Sequence, residues 1–343
     1  MSEVAPPPSA NRILGLDLAR ALAIFGMLTV NFRAVLTETE EPAWLLRVAE
    51  QVDGRAAALF VFLAGFGISL LTRRSRESGD AAALRSDRWL LWRRALFLFV
   101  VGLAFRQVWE FDILHFYGVY LFAAAFLIAA PSRWLLALAG LLGLVFPILY
   151  YVLPSRFGIP FWGTNSGLMP GDLAIDIFFQ GYHPFAPWFA FLLLGLGGLK
   201  LAFGLAPIAT VELAADSFGT DPYPPMPLYV VAGAGWALAV TMLCLAVARR
   251  WGTRAWLTPL IHAGQLALSV YVFHGTVGAW APGWLGYEPP LSLAWVLVYC
   301  AVFYAVTVML ATLWRRFFAR GPLESIMRWL TGRRRWRSAA PAQ

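Results

Sequence analysis

The sequence predicts an all-α fold, a polytopic integral membrane helical bundle of about ten transmembrane helices with both termini cytoplasmic. Three observations carry this reading. Hydrophobic residues make up 60% of the 343 residues and charged residues only 13%, against about 45–50% apolar and about 25% charged in soluble domains. The apolar residues fall in long blocks, several near the ~20 residues a helix needs to cross a bilayer. Basic residues gather between alternate blocks instead of spreading evenly, the pattern that sets membrane orientation. A soluble enzyme, a disordered chain and a disulfide scaffold are poor fits to such a composition.

Residues 1–11 (MSEVAPPPSAN) are polar and proline-rich, lack signal-peptide character, and read as a short disordered cytoplasmic tail. A transmembrane domain over 12–314 follows. Its apolar blocks are 13–36, 55–72, 89–106, 111–130, 133–153, 184–199, 201–216, 227–248, 257–280 and 291–314. The 201–216 block is short and holds Pro207 and Glu212, so a re-entrant segment competes there with a crossing.

Charge bias orients the blocks. The 73–94 segment carries seven arginines and is read as inside. The preceding connection holds Glu38, Glu40, Glu41, Glu50 and Asp53 against Arg47 and Arg55, and is read as outside. Arg133 then falls inside and the 154–183 connection outside. Ten crossings put both the Arg249–Arg254 cluster and the arginine-rich C-terminus inside, whereas nine put both outside; ten is therefore expected. Residues 315–343 form a basic amphipathic cytoplasmic tail whose ESIMRWLTGRRRWR stretch suits the inner leaflet. The net charge of +8 is accordingly a topology signal, and nucleic acid is not an expected partner. Cys244 and Cys300 sit inside apolar blocks, with no disulfide or metal spacing. The glycines of FLAGFG (Gly65, Gly67) and LLLGLGG (Gly195, Gly197, Gly198) suit close helix packing.

Ionisable residues at membrane depth are costly and ask for a partner or a task. Three of the four histidines fall at the outer level: His115 early in the fourth span, His183 just before the sixth, His274 late in the ninth. His262 alone lies near the inner end. Asn31 ends the first span, Asp53 and Arg55 open the second, and Glu110 and Asp112 begin the fourth. Imidazole, carboxylate, amide and guanidinium at one level make the composition of an acid–base site with anchoring groups. Each also has a plainer reading: interfacial hydrogen bonding for His115 and His274, capping of the next helix for His183, helix joining for Asn31, a structural ion pair for Asp53 and Arg55. At the inner face Asp17 and Arg20 share one helix face. With Arg12, Arg93 and Arg94 they suit either an anion site for cytosolic phosphates or positive-inside anchoring. No phosphate loop, zinc spacing or nucleophile elbow is present.

RILGLDLARALAIFGMLTVNF resembles the first-span motif of the heparan-α-glucosaminide N-acetyltransferase-like membrane proteins, and DGRAAALFVFLAGFGISL their second span. FDILHFYGVYL and YHPFAPWFAFLLLG are similar to their later motifs. GQLALSVYVFH and RRFFARGPLESIMRWLT resemble the end of a related bacterial family, domain of unknown function 418. The likeness runs in order over about 12–331, and GPLE-x-x-x-R is its most specific piece. It implies a transmembrane acyltransferase fold that moves an acetyl group from cytosolic acetyl-CoA to an acceptor on the far side. Relatives use a histidine base in the first external connection, helped by an asparagine at the end of the first span. Asn31 matches that asparagine; the histidine has no counterpart, because residues 37–54 contain none.

The expectation is thus an acyltransferase of the plasma or inner membrane. His115 or His274 is the base, with Asn31 as donor and Asp53 or Asp112 to orient the base. Arg55, His183 and Glu110 face the acceptor. Arg12, Asp17, Arg20, Arg93 and Arg94 hold acyl-CoA, and no metal takes part. Expected partners are membrane lipids and a small-molecule or glycan acceptor; the sequence leaves monomer and homodimer open. The competing readings are a transporter or exporter of a small amphiphile, marked by a wide midplane cavity, and a non-enzymatic membrane protein, marked by the lack of a polar cavity.

Overall fold

In a computed structural model the described residues are 13–37, 42–157, 170–197, 225–252 and 254–332. The 201–216 block, Arg12, Gly198, the 1–11 tail and residues 333–343 lie outside them. Among the described residues the chain is helical, with no strand and with an isolated bridge between Thr37 and Leu291. Five stretches are long and apolar enough to cross a membrane: Leu14–Leu36, Ala43–Ser78, Ser132–Val152, Pro227–Trp251 and Leu293–Phe317. Their outward faces leave large apolar side chains exposed, among them Leu141, Leu144, Ile148, Val298, Val302 and Met309. Soluble surfaces rarely carry such continuous apolar faces, and lipid covers them.

Helix α1 (Leu14–Leu36) is the centre of the bundle. It packs on α3 (Arg55–Ser78), α9 (Pro227–Trp251), α10 (Thr258–Gln265) and α13 (Leu293–Phe317). Its 23 residues span about 35 Å at 1.5 Å per residue, enough for a hydrocarbon core of ~30 Å. A second layer comes from α4 (Ala81–Arg106) against α5 (Leu114–Leu127), and from α8 (Phe185–Gly197) between α3 and α6 (Ser132–Phe157). The α3–α4 hairpin closes on local chemistry. Gly79 takes the left-handed conformation (φ +65°) that ends α3, and Asp80 caps α4 by accepting from Ala82 N at 2.8 Å.

The glycine expectation holds at particular contacts. A Cβ on Gly65 would strike the Leu192 carbonyl oxygen, and one on Gly195 would strike the Phe62 carbonyl oxygen. These two positions therefore set how closely α3 and α8 cross. Gly67 has no such role; its nearest neighbour is the Arg20 guanidinium at 3.8 Å.

Three elements differ from the sequence reading. The 37–54 connection contains a short helix, α2 (Ala43–Glu50), mostly exposed. The 111–130 block yields only the 14 residues of α5, about 21 Å, because Asp112 starts the helix late by taking the amides of Leu114 and His115. The 257–280 block is broken into α10, α11 (Ala267–Phe273) and a π turn (His274–Gly278). The break at Leu266 is held from outside. Glu324 of α14 (Pro322–Thr331) accepts from Leu268 N at 2.8 Å, Ser269 N at 3.1 Å and Ser269 Oγ at 2.5 Å. Those amides start α11 and have no partner within the helix. The Glu of the GPLE motif thus joins the amphipathic tail helix to the broken span. Ile326, Trp329 and Leu330 of that helix stay exposed, as a face on lipid would be.

Candidate functional site

Two cavities lie on either side of the α3 segment Ala57–Phe60. One, termed inner because the expected orientation puts it on the cytoplasmic side, is about 630 Å³ and lies between α3, α4, α5 and the broken α10–α11 span; the other is termed outer. Along α3 it runs from Phe60 to Leu71, about 16 Å of helix. Its walls are apolar, with Leu63, Leu91, Leu98 and Leu121 among them, while Arg20, Arg94, Gln265 and Glu324 mark its arginine-rich end. The other end is closed by Leu114, Tyr117 and Tyr271. Arg20 donates to Asp17 Oδ1 at 2.7 Å, and Gln265 Nε2 reaches Asp17 Oδ2 at 3.3 Å. Asp17 is 2% exposed, so this pair neutralises a buried carboxylate and at the same time puts a guanidinium on the cavity wall. Gln265 Oε1 and the Tyr117 hydroxyl are buried without a hydrogen-bond partner.

The outer cavity, about 300 Å³, is lined by Asn31, Arg33, Asp53, Tyr182 and His183, with Met27, Ala57 and Phe111 completing its walls. Asp53 pairs with Arg33 across the α1–α3 gap. The structural pair of Asp53 with Arg55 that the sequence suggests does not form; Arg55 donates to the Gln51 carbonyl one turn back at 2.8 Å. Arg33 Nη1, Asp53 Oδ1 and His183 Nδ1 are all buried without a hydrogen-bond partner. Three residues around one small cavity thus carry a buried donor, acceptor and imidazole nitrogen without partners, and buried polar atoms are seldom left so. The His183 backbone is fixed by the Tyr120 hydroxyl, which donates to its carbonyl at 2.6 Å, and its ring packs edge-on to Trp188. Burial, reinforced by the neighbouring His115, pushes the His183 imidazole down to about 3. Burial therefore favours the neutral ring.

Both cavities touch α3, where Ala57 lines the outer and Phe60 the inner, less than one turn apart. On the wall of the outer cavity Asn31 Nδ2 meets His274 Nε2 at 2.9 Å, and His274 Nδ1 donates to the Tyr271 carbonyl. That bond fixes the tautomer, so Nε2 accepts from Asn31. Asn31 faces the outer cavity and Tyr271 the inner, with His274 between them.

His115 is placed differently from the expectation. Its Nδ1 lies 2.8 Å from Asp112 Oδ2 and its Nε2 3.4 Å from Asp176 Oδ2, and Asp176 pairs with Arg106 at 3.1 Å. The ring is 1% exposed and lines neither cavity. This buried chain ties the start of α5 to the π turn Asp176–Gln180 that leads to Tyr182 and His183. Glu110 is exposed in the turn before α5. Arg94 reaches the inner cavity, whereas Arg93 turns the other way, toward the Gly332 carbonyl. Sequence reasoning missed Arg33, Gln265, Tyr117, Arg106 and Asp176. Only Arg33 had a signal, as a basic residue at the outer end of a span, against the charge bias. Among the described residues no group of three or more His, Cys, Asp or Glu side chains is placed to hold a metal ion.

Comparison with known families bears on this arrangement. The model of the heparan-alpha-glucosaminide N-acetyltransferase catalytic domain matches residues 12–206, more than half of the chain. The chain belongs to that family. The match takes in Arg20, Asn31, Arg33, Asp53, Tyr117 and His183, which are among the residues lining the two cavities. A second model, described as a protein of unknown function (DUF418), matches residues 178–334 and so covers His274 and Glu324. No curated protein matches the chain. Membership in this family makes the chain a membrane acyltransferase-like protein.

Proposed function

We propose that the protein takes an acyl group from cytosolic acyl-CoA in the inner cavity and passes it to a small-molecule or glycan acceptor in the outer cavity, in the plasma or inner membrane. The observation that carries this is the pair of cavities on one helix, α3, with Phe60 lining the inner and Ala57 the outer, and Asn31, held by His274, on the wall of the outer one. An apolar slot about 16 Å deep with arginines at one end suits an extended pantetheine arm whose phosphates stay near the cytosol. Arg94 and Arg20 face those phosphates, and Gln265 Oε1 accepts an N–H of the arm. At the outer end, Arg33 Nη1 and Asp53 Oδ1 bind the acceptor's polar groups. His183, neutral and unpartnered at Nδ1, takes the acceptor's proton. This moves the base from His115 or His274 to His183. His274 instead orients Asn31, and the Asp112–His115–Asp176–Arg106 chain holds the segment that carries His183. A transporter would be served better by one wide midplane cavity than by two that abut.

The test is acetyl-CoA binding to the full chain in lipid nanodiscs, with thiol release measured on adding an extract of the native membranes. Saturable binding, and release that needs the extract and is lost in His183→Ala, are the expected results. Failure of acetyl-CoA and longer acyl-CoA to bind would end the proposal.

A further inference from the structure

The inner cavity ends on two tyrosines, and their hydroxyls are not equivalent. Tyr271 accepts from Ile113 N at 3.1 Å and points its hydroxyl at the Phe111 carbonyl, 3.5 Å away. Tyr117 is 4% exposed, lines the same end, and its hydroxyl has no hydrogen-bond partner. A phenol carries one donor, and a buried donor left unmade is destabilising. Local structure does not ask for a hydroxyl here, because the ring is held by its faces and edges. Its centroid is 5.6 Å from that of Phe60 and 6.0 Å from that of Tyr120. Gly118, the next residue, lies against α4 so closely that a Cβ would meet Phe99 Cβ at 2.7 Å, which fixes α5 behind the ring. A phenylalanine would fill this position equally well by packing alone. The hydroxyl is therefore a buried donor without a protein partner, on a residue that lines the apolar slot beside Phe60, within about a turn of the outer cavity.

We propose that the Tyr117 hydroxyl donates a hydrogen bond to the carbonyl oxygen of the acyl thioester and stabilises the charge that develops there. This rests on the reading that the inner cavity takes the acyl donor. In the transfer the acceptor's oxygen or nitrogen bonds to the carbonyl carbon, and its proton passes to His183. The C=O π pair moves onto oxygen, where Tyr117 holds it without giving up its own proton. When the carbonyl re-forms, the C–S bond breaks with its electron pair on sulfur. The thiolate takes the proton from His183 and leaves as CoA thiol. A donor fixed in a water-poor pocket and aimed at developing charge typically contributes about 100- to 1000-fold in rate.

The experiment is infrared difference spectroscopy of acetyl-CoA, ¹³C-labelled at the carbonyl, bound to the full chain in nanodiscs, comparing wild type with Tyr117→Phe. It needs neither acceptor nor turnover. The carbonyl band is expected at lower wavenumber in wild type than in Tyr117→Phe. Affinity should fall no more than about fivefold, the value of one neutral hydrogen bond. The melting temperature should be unchanged or raised, since the lost hydroxyl has no protein partner. Replacing Tyr117 with 3-fluorotyrosine strengthens the donor and moves the band the opposite way, which serves if Tyr117→Phe misfolds. Binding with the same band in all forms overturns the Tyr117 assignment while leaving the donor cavity intact. No binding to wild type overturns the donor cavity itself, and this inference with it.

Discussion

Glu324→Ala tests how the broken span is held and thereby the shape of the inner cavity. In the native protein the carboxylate accepts two backbone amides at the start of α11, Leu268 N and Ser269 N, and the Ser269 hydroxyl. Removing it leaves two part-buried N–H groups without partners, at about 1–3 kcal/mol each. Partial access to water and rotation of the Ser269 hydroxyl recover some of this, so about 3 kcal/mol of local stability is lost. At 1.4 kcal/mol per factor of ten, amide exchange over residues 266–272 should quicken roughly 100-fold. Glu324→Gln keeps one carbonyl acceptor for both amides and should lose only about 1 kcal/mol. Hydrogen exchange read by mass spectrometry in nanodiscs distinguishes the two. Exchange in Glu324→Ala within about threefold of wild type would refute the reasoning, and α14 would then be a passive surface helix.

Further outcomes follow from other contacts. Gly65→Ala should lower the melting temperature by forcing α3 from α8 at the Leu192 carbonyl, whereas Gly67→Ala, with only Arg20 at 3.8 Å, should leave it unchanged or slightly raised. Equal effects of the two would remove the packing account. Arg94→Gln should raise KM for acetyl-CoA about tenfold, with the acceptor's KM unmoved. Because His183 binds its proton only near pH 3 when folded but near 6.5 when unfolded, the unfolded chain holds more protons between those values. Its contribution to stability is therefore complete above pH 6.5 and lost as pH falls toward 3. Denaturation at pH 4.5 and 7.5 should show a smaller acid loss in His183→Gln than in wild type.

How far the sequence carried depended on the range of each contact. Apolar block length and arginine bias announce a helical membrane protein, and the Asp17–Arg20 pair is visible because its partners are three residues apart on one helix. Asn31 and His274 were both singled out for their level in the membrane, yet their direct contact joins positions 243 residues apart and only the fold shows it. Asp53 was paired with the wrong arginine because spacing favours Arg55, while the turn at Gly54 (φ +62°) turns Asp53 toward Arg33 of α1. His115 was singled out for its level in the membrane and Asp112 is visible beside it, but its contact with Asp176, 61 residues on, is shown only by the fold. The break in the 257–280 block has its cause in Glu324, outside the block altogether, and no hydropathy profile carries that.

The central claim is that donor and acceptor enter by different cavities and meet beside Asn31. Density for a non-hydrolysable acetyl-CoA analogue bound to the full chain in nanodiscs tests it most directly. The account places the adenosine phosphates at the Arg20–Arg94 end, the arm along α3 from Leu71 to Phe60, and the carbonyl at Tyr117. An analogue seated in the outer cavity with Arg33 and His183, or on the lipid-facing surface with this slot empty, would contradict it.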